Sequence, residues 1–360
     1  MATLYVTEPG AQVHRADERL VVMRGEEVLN DIPMIKVNRV VLMGRGVSLT
    51  TPALYALTER GVDVVYLTGR GRYVSRLVGA EHKHGKLRHA QALAVADPSK
   101  ALSIAREIVR GKVLNQRALV QRHAEGANWA KRALAGMEAM ARRVDAARTL
   151  DELRGLEGQG AKEYFGLMRQ MLKPPADGGA WSFERRAYYP PPDPVNALLS
   201  FGYTLLLNDL IAACQLTGLD PYLGCFHAID YGRPSMALDL EEEFRPVIVD
   251  SIVLTAINRP VLRRKDFEQA RQETEGTKGT PAPSGRGQAE GTEGKQRAVY
   301  LKDAARSKFI ALYEARVNEQ VVYAPTSERT SYRRVFELQA QHMARVILGE
   351  EREYAPVMVR

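Results

Sequence analysis

Between His227 and Pro246 the chain gathers an imidazole, five carboxylates and two guanidiniums within twenty residues. Met236, Leu240 and Phe244 repeat at helical spacing, which predicts a helix over Ser235 to Arg245 with Asp239 and Glu242, three apart, on a common side. Gly232 and Pro234 place a tight turn before that helix, so His227 can fold back toward its acidic face. One nitrogen donor and one or two carboxylate oxygens on a short scaffold suit Mg²⁺ or Mn²⁺ better than zinc, which prefers more His or Cys. A plainer account also fits these residues. Asp239 and Glu242 have capping-box-like spacing, acid early in a helix is favoured by its dipole, and His227, flanked by Phe226 and Ala228, could equally be a hydrogen-bonded core histidine.

The rest of the chain must supply the scaffold. Its 360 residues, 45% of them apolar, are enough for two domains with sizeable cores. Lys and Arg total 51 against 43 acids, giving a net charge of +8 and a pI near 9.4. That balance favours a polyanionic partner over an acidic small molecule. Cys214 and Cys225 lack CxxC spacing, so buried, reduced thiols are expected rather than a disulfide framework or zinc knuckle. Neither GxxxxGK[ST] nor HExxH occurs, which argues against a P-loop NTPase and a zinc peptidase. Without a signal-peptide pattern, or an uncharged apolar run approaching the roughly 18 residues of a membrane span, a soluble, cytoplasmic protein with no membrane partner is expected.

In chain order, Leu4 to Val6, Arg19 to Arg24, Val37 to Leu42, Val62 to Leu67 and Tyr73 to Val78 read as short strands, with Asn30-Asp31 and Gly69-Arg70-Gly71 as turn residues. Thr51, Pro52 and Gly61 bound one helix over Pro52 to Arg60. The Gly44-Arg45-Gly46 and Gly69-Arg70-Gly71-Arg72 loops read as turn chemistry with solvated charge. His82 to His89 is a basic, histidine-rich linker or positive surface, since its lysines would repel a metal cation.

Ser99 to Glu125 and Ala130 to Ala147 follow as helices. Arg106, Arg110, Arg117, Arg122, Lys131, Arg132, Arg142 and Arg143 lie outside their apolar stripes, as a phosphate track or simply a solvated face. Glu157 stands between glycines just before a helix over Ala161 to Met171, where flexible backbone can bring its carboxylate to another element. After a Pro-rich loop from Lys173 to Pro194, the most apolar helix of the chain runs to about Leu216. Pro246 should kink the helical continuation over Val247 to Ile257. Gln272 to Lys295 carries almost no large apolar side chain and is expected to be a mobile insert at about 272–297. Order should resume at Val299-Tyr300-Leu301, with helices from Asp303 to Gln320 and from Thr330 to Leu348.

Gly155-Leu156-Glu157-Gly158, then Asp193-Pro194-Val195-Asn196-Ala197-Leu198-Leu199, then His227 and Leu238-Asp239-Leu240-Glu241-Glu242-Glu243-Phe244-Arg245-Pro246 together resemble the CRISPR adaptation integrase-nuclease family in order and spacing. The likeness spans nearly the whole chain. It departs at Glu242, where some branches have Asp, and at the Gln272 to Lys295 insert, which the family pattern lacks.

The resemblance implies an α+β fold, with a small β-rich N-terminal domain (residues 1–90) for dimerisation joined to a larger all-α catalytic domain (residues 91–360). It places the metal site, for Mg²⁺ or Mn²⁺, on Glu157, His227 and Glu242, with Asp239, Asn196 and Arg245 behind the ligands or facing substrate. The partners it implies are double-stranded DNA, a second copy forming a homodimer, and a small ferredoxin-like adaptation protein bridging two dimers into a heterohexamer. The activity implied is phosphodiester transfer that cuts DNA and inserts captured fragments into a repeat array. Two rival readings are a non-catalytic nucleic-acid-binding scaffold, with no reason to bring Glu157, His227 and Glu242 together, and a metallohydrolase of small phosphate esters, which would not need long basic helices.

Overall fold

Alternating β-branched residues bury one face of a strand against a helix or a second sheet, and the start of the chain does both. The computed structural model describes residues 2–69, 73–77, 84–124, 126–175, 177–187, 190–269 and 298–359. It divides into two units, Met1–Lys83 and His84–Arg360. The first contains β1 (Ala2–Val6), β2 (Gln12–Ala16), β3 (Arg19–Arg24), β4 (Glu27–Pro33), β5 (Val37–Met43), β6 (Ser48–Leu49), α1 (Thr51–Glu59), β7 (Asp63–Leu67) and β8 (Tyr73–Leu77). One sheet has the order β1-β5-β7-β8, its first three strands parallel and β8 antiparallel. The other has the order β4-β3-β2-β6, with β2, β3 and β4 antiparallel and β6 parallel to β2. Val13, Leu20, Val40 and Leu57 meet in one core between them.

Strands β2, β4 and β6 go beyond the sequence expectation, and Asn30-Asp31 lies within β4 rather than at a turn. The reason is position. As an edge strand with much of its surface exposed, β4 tolerates polar residues, and Asp31 accepts from Arg19 Nε across the sheet at 2.6 Å. Thr50, not Thr51, stands at the N-cap of α1, with no side-chain cap bond; its hydroxyl donates to Val13 O instead.

The second unit is mostly helical: α2 (Gly85–Ala96), α3 (Pro98–His123), α4 (Ala130–Ala146), α5 (Leu150–Met171), α6 (Pro194–Thr217), α7 (Ser235–Phe244), α8 (Ser251–Asn258), β9 (Phe267–Gln269), β10 (Val299–Leu301), α9 (Asp303–Val317), β11 (Gln320–Tyr323), β12 (Glu328–Ser331) and α10 (Tyr332–Leu348). The chain therefore has the expected α+β fold, strand-rich and then helical. From Gly85 the supposed linker is already helix, and Thr330 belongs to a β11-β12 hairpin. The Gln272 to Lys295 insert lies outside the described residues.

Capping explains where the long helices start. Asp97 accepts from Ser99 N and Lys100 N at the head of α3, Thr149 from Glu152 N at α5, and Asp193 from Asn196 N at α6. By length and composition α6 could cross a membrane, contrary to the sequence expectation, but 83% of its apolar window is buried inside the protein. It is a core helix packed on α7 and α10. Helix α3 packs on α4, α5 and α7, and is therefore the element that can join residues from α5 and α7.

Candidate active site

Helix α7 positions the site through Asp239, which is fully buried. Its Oδ2 accepts the backbone N–H groups of Cys225 at 2.6 Å and Phe226 at 2.9 Å, while Oδ1 accepts His227 N at 2.9 Å. The loop can come this close because residue 224 is glycine. A Cβ there would stand 2.5 Å from the Ser235 carbonyl carbon and 2.8 Å from Asp239 Oδ2. His227 Nδ1 also donates to Asp239 Oδ1 at 2.8 Å, which turns Nε2 to within 3.6 Å of Glu242 Oε1. The fold-back expected of His227 is present. Asp239 is a loop anchor, not a helix cap.

One turn on, Glu242 is 2% exposed and belongs to two cations. Arg245 Nη1 donates to its Oε1 at 2.6 Å, and Lys112 Nζ of α3 lies 2.5 Å from its Oε2. The same ammonium donates to Glu157 Oε1 of α5. Burial alone would raise the Glu242 carboxyl, but Arg245 and Lys112 outweigh it and hold it at about 2. Burial alone would lower Lys112, but Glu157 and Glu242 push it above the ordinary lysine value instead, so it is a cation. Among the described residues no group of three or more His, Cys, Asp or Glu is arranged to hold a metal ion. What the structure does bring together, from two helices and one loop, is Glu157, Glu242 and His227, with an ammonium between the carboxylates.

That arrangement is a fit test for a divalent ion. Two carboxylates turned onto one positive charge, beside an imidazole whose Nδ1 is tied to a carboxylate, are donor types that suit a hard cation. The Lys112 ammonium stands between the two carboxylates. The Gly-Leu-Glu-Gly stretch differs from expectation: Glu157 lies inside continuous α5, not in flexible backbone before a helix. Lys112 closes the gap from the other side. The sequence reading missed it, although a signal exists. Ala101, Ala105, Ile108, Lys112, Asn115 and Leu119 recur at alternating spacings of four and three and are all buried, so a lysine stands in a core stripe.

The surrounding residues have separate tasks. Arg245 also donates to Glu241 Oε2 from Nη2 at 2.7 Å and stacks 5.0 Å over the Tyr203 ring. Asn196 bonds elsewhere, accepting from Ala187 N and Arg186 Nη1 and donating to Arg185 O and Asp193 Oδ2. It approaches the site only in relay, since Arg186 stacks on the other side of the connection, over Tyr203 at 5.4 Å. Glu243 faces away. Tyr354 OH and Val357 N donate to it at 2.6 Å each, and burial raises its carboxyl to about 8. Asn115 of α3 donates to Glu243 O and Val357 O and accepts from Val359 N.

Several of the arginines read as a phosphate track or a solvated face also brace helices. Arg110 pairs with Asp145, Arg117 with Glu138, and Arg106 donates to Ala147 O. Pro246 does interrupt its helix, through a π-helical turn over Pro246–Asp250.

A strand-rich unit followed by a helical unit is an arrangement shared with known proteins. A family model described as CRISPR associated protein Cas1 matches residues 4–278. The chain belongs to the Cas1 family. It is 33% identical over 368 residues to CRISPR-associated endonuclease Cas1 1 of Moorella thermoacetica, covering 99% of this chain and 98% of that one. To CRISPR-associated endonuclease Cas1 3 of Thermus thermophilus it is 35% identical over 366 residues, covering 100% and 98%. The fold matches a Cas1 protein from Thermotoga maritima with a TM-score of 0.78 at 21% identity, covering 100% of both chains. It also matches a casposase bound to integration product, with a TM-score of 0.80 at 20% identity, covering 99% of this chain and 93% of that one.

Proposed function

We propose that this protein is a divalent-metal-dependent DNA endonuclease and integrase that inserts captured DNA fragments into a CRISPR repeat array. The observation that carries this reading is the convergence of Glu157 and Glu242, from two helices, on the buried Lys112 ammonium, with His227 Nε2 3.6 Å from Glu242 Oε1. The named endonuclease relatives and the casposase fold support it. Glu157, Glu242 and His227 Nε2 would hold the ion. Bound Mg²⁺ or Mn²⁺ would polarise the scissile phosphate and lower the pKa of water or a DNA 3′-hydroxyl.

The chain's own residues do the positioning. Asp239 fixes the imidazole tautomer through Nδ1, and Arg245 clamps Glu242 and Glu241 so that the carboxylate next to the reacting phosphate stays ionised and oriented. The net charge of +8 favours a duplex held by its backbone.

The reading includes a homodimer formed through residues 1–83, whose short sheet edges a second copy can cover, and a small ferredoxin-like partner joining two dimers into a heterohexamer. A Cas6-RT-Cas1–Cas2 complex contains a chain of this fold, with a TM-score of 0.78 at 22% identity over 99% of this chain and 36% of that one. A cytoplasmic location belongs to the same reading.

The deciding experiment is strand transfer of a short duplex into a repeat-bearing plasmid with Mn²⁺ or Mg²⁺. Glu242→Gln should abolish it while DNA binding is retained, at some cost in stability, because the amide keeps the shape but leaves Arg245 and Lys112 without their shared anion. Full activity of Glu242→Gln at saturating Mn²⁺ would sink the proposed site.

A further inference from the structure

We propose that Lys112 is the site's resident counterion, which keeps Glu157 and Glu242 paired and must be displaced by the divalent cation that binds them. The inference rests on the assignment of Glu157, His227 and Glu242 as ligands and says how the chain manages their charge when no metal is bound.

The first observation is placement. Lys112 is 5% exposed and enters from the core stripe of α3, not from solvent, so its ammonium is delivered to the carboxylates by the fold. Holding it there requires partners, because a lone ammonium is expensive to bury. It has two, Glu157 on α5 and Glu242 on α7.

The second observation is a division between the two oxygens of Glu242. Arg245, three residues along the same helix, takes Oε1 and is also tied to Glu241, which fixes the guanidinium to α7. Lys112, from another helix, takes Oε2. Glu157 is turned to Lys112 as well. The Arg245 side of Glu242, which His227 Nε2 also approaches at 3.6 Å, is therefore a permanent clamp, while the Lys112 side points to Glu157 and is the exchangeable one.

Electrostatics makes the exchange obligatory. The buried Glu242 and the partly exposed Glu157, turned toward the same point, repel unless a positive charge stands between them. An ammonium or a divalent ion meets that need, but both against the same two oxygens repel each other. Metal binding is thus a substitution of one cation for another. The lysine keeps the unloaded site in shape and sets a threshold that a weakly bound monovalent ion does not cross.

The test uses the full-length protein with Lys112→Met, Lys112→Gln and Lys112→Arg. Mn²⁺ affinity is read by titration calorimetry, and melting temperature in EDTA and in saturating Mn²⁺. Lys112→Met and Lys112→Gln should bind Mn²⁺ at least about tenfold more tightly, the low end of what residues behind metal ligands are worth. They should melt below wild type in EDTA and gain more from Mn²⁺ than wild type does. Lys112→Arg should return the EDTA melting temperature toward wild type. If Lys112→Met fails to fold without metal, Lys112→Gln, which keeps a hydrogen-bonding side chain, decides. Equal or weaker Mn²⁺ binding by these variants, while wild type binds Mn²⁺ and Glu242→Gln does not, overturns the counterion role and spares the ligand assignment. A wild type whose Mn²⁺ binding is unaffected by Glu242→Gln would remove the ligand assignment, and the inference with it.

Discussion

Asp239 and His227 are bonded twice, once through the backbone N–H at 2.9 Å and once through Nδ1 at 2.8 Å. One carboxylate therefore sets both where the histidine sits and which ring nitrogen faces Glu242. Asp239→Asn offers a single acceptor oxygen where four donors converge, and its NH₂ would face an N–H. Stability should fall by about 1–3 kcal/mol, as for any buried donor left unmet, and Mn²⁺ affinity by about 10–100-fold. Urea denaturation and Mn²⁺ titration of the same preparation measure both. A stable variant with unchanged Mn²⁺ affinity would separate Asp239 from the site.

Much of this was legible in the sequence, for identifiable reasons. Helix α7 announced itself because Met236, Leu240 and Phe244 bury one stripe, and the turn before it pointed His227 back. Lys112 was not legible because lysine is almost never fully buried, so an unpaired reading of α3 puts it in solvent. Only the carboxylates of two other helices, distant in sequence, justify its burial. The strand β4 was hidden for the opposite reason: an edge strand can be as polar as a loop.

Asp250 gives a pH signature away from the proposed ligands. It is buried at the end of the π-helical turn, accepts from Tyr164 at 2.7 Å and Tyr203 at 2.6 Å, and burial raises its carboxyl to about 6 from 3.8. A folded pKa above the unfolded one means that the folded state holds the proton longer. Its stabilising contribution is complete below pH 3.8 and is lost as pH rises through about 6. Relative to wild type, Asp250→Asn should therefore gain stability from pH 4 to pH 6 and level off above, by up to about 3 kcal/mol for a shift of this size. Urea midpoints across that range decide, and a flat difference would refute it.

Gly155 and Gly158 lie exposed inside α5, with nothing within 4 Å of the position a Cβ would take. Nothing in the fold requires them. Gly158→Ala should stabilise the protein by about 1 kcal/mol through helix propensity alone. A melting temperature below wild type would show a conformational need for glycine beside Glu157.

Strands β9 and β10 pair with Gln269 opposite Val299, so the two ends of the intervening segment leave from neighbouring positions. Replacing Gln272 to Lys295 with a short Gly/Ser linker should leave the melting temperature and strand transfer unchanged, because that linker spans a hairpin-sized gap. A large loss of stability would mean that the segment contributes packing.

The bonds between Asn115 and the Val357 to Val359 stretch join positions 242 and 244 residues apart in sequence. Glu243, beside Glu242, reaches the same stretch through Tyr354 and Val357. During synthesis, then, the bracing of α3 and α7 by this stretch is complete only once Val359 has left the ribosome, whereas the strands of Met1–Lys83 can pair as soon as they emerge. The nascent protein therefore carries its sheets before the helices that hold Lys112 and Glu242 have gained their last brace.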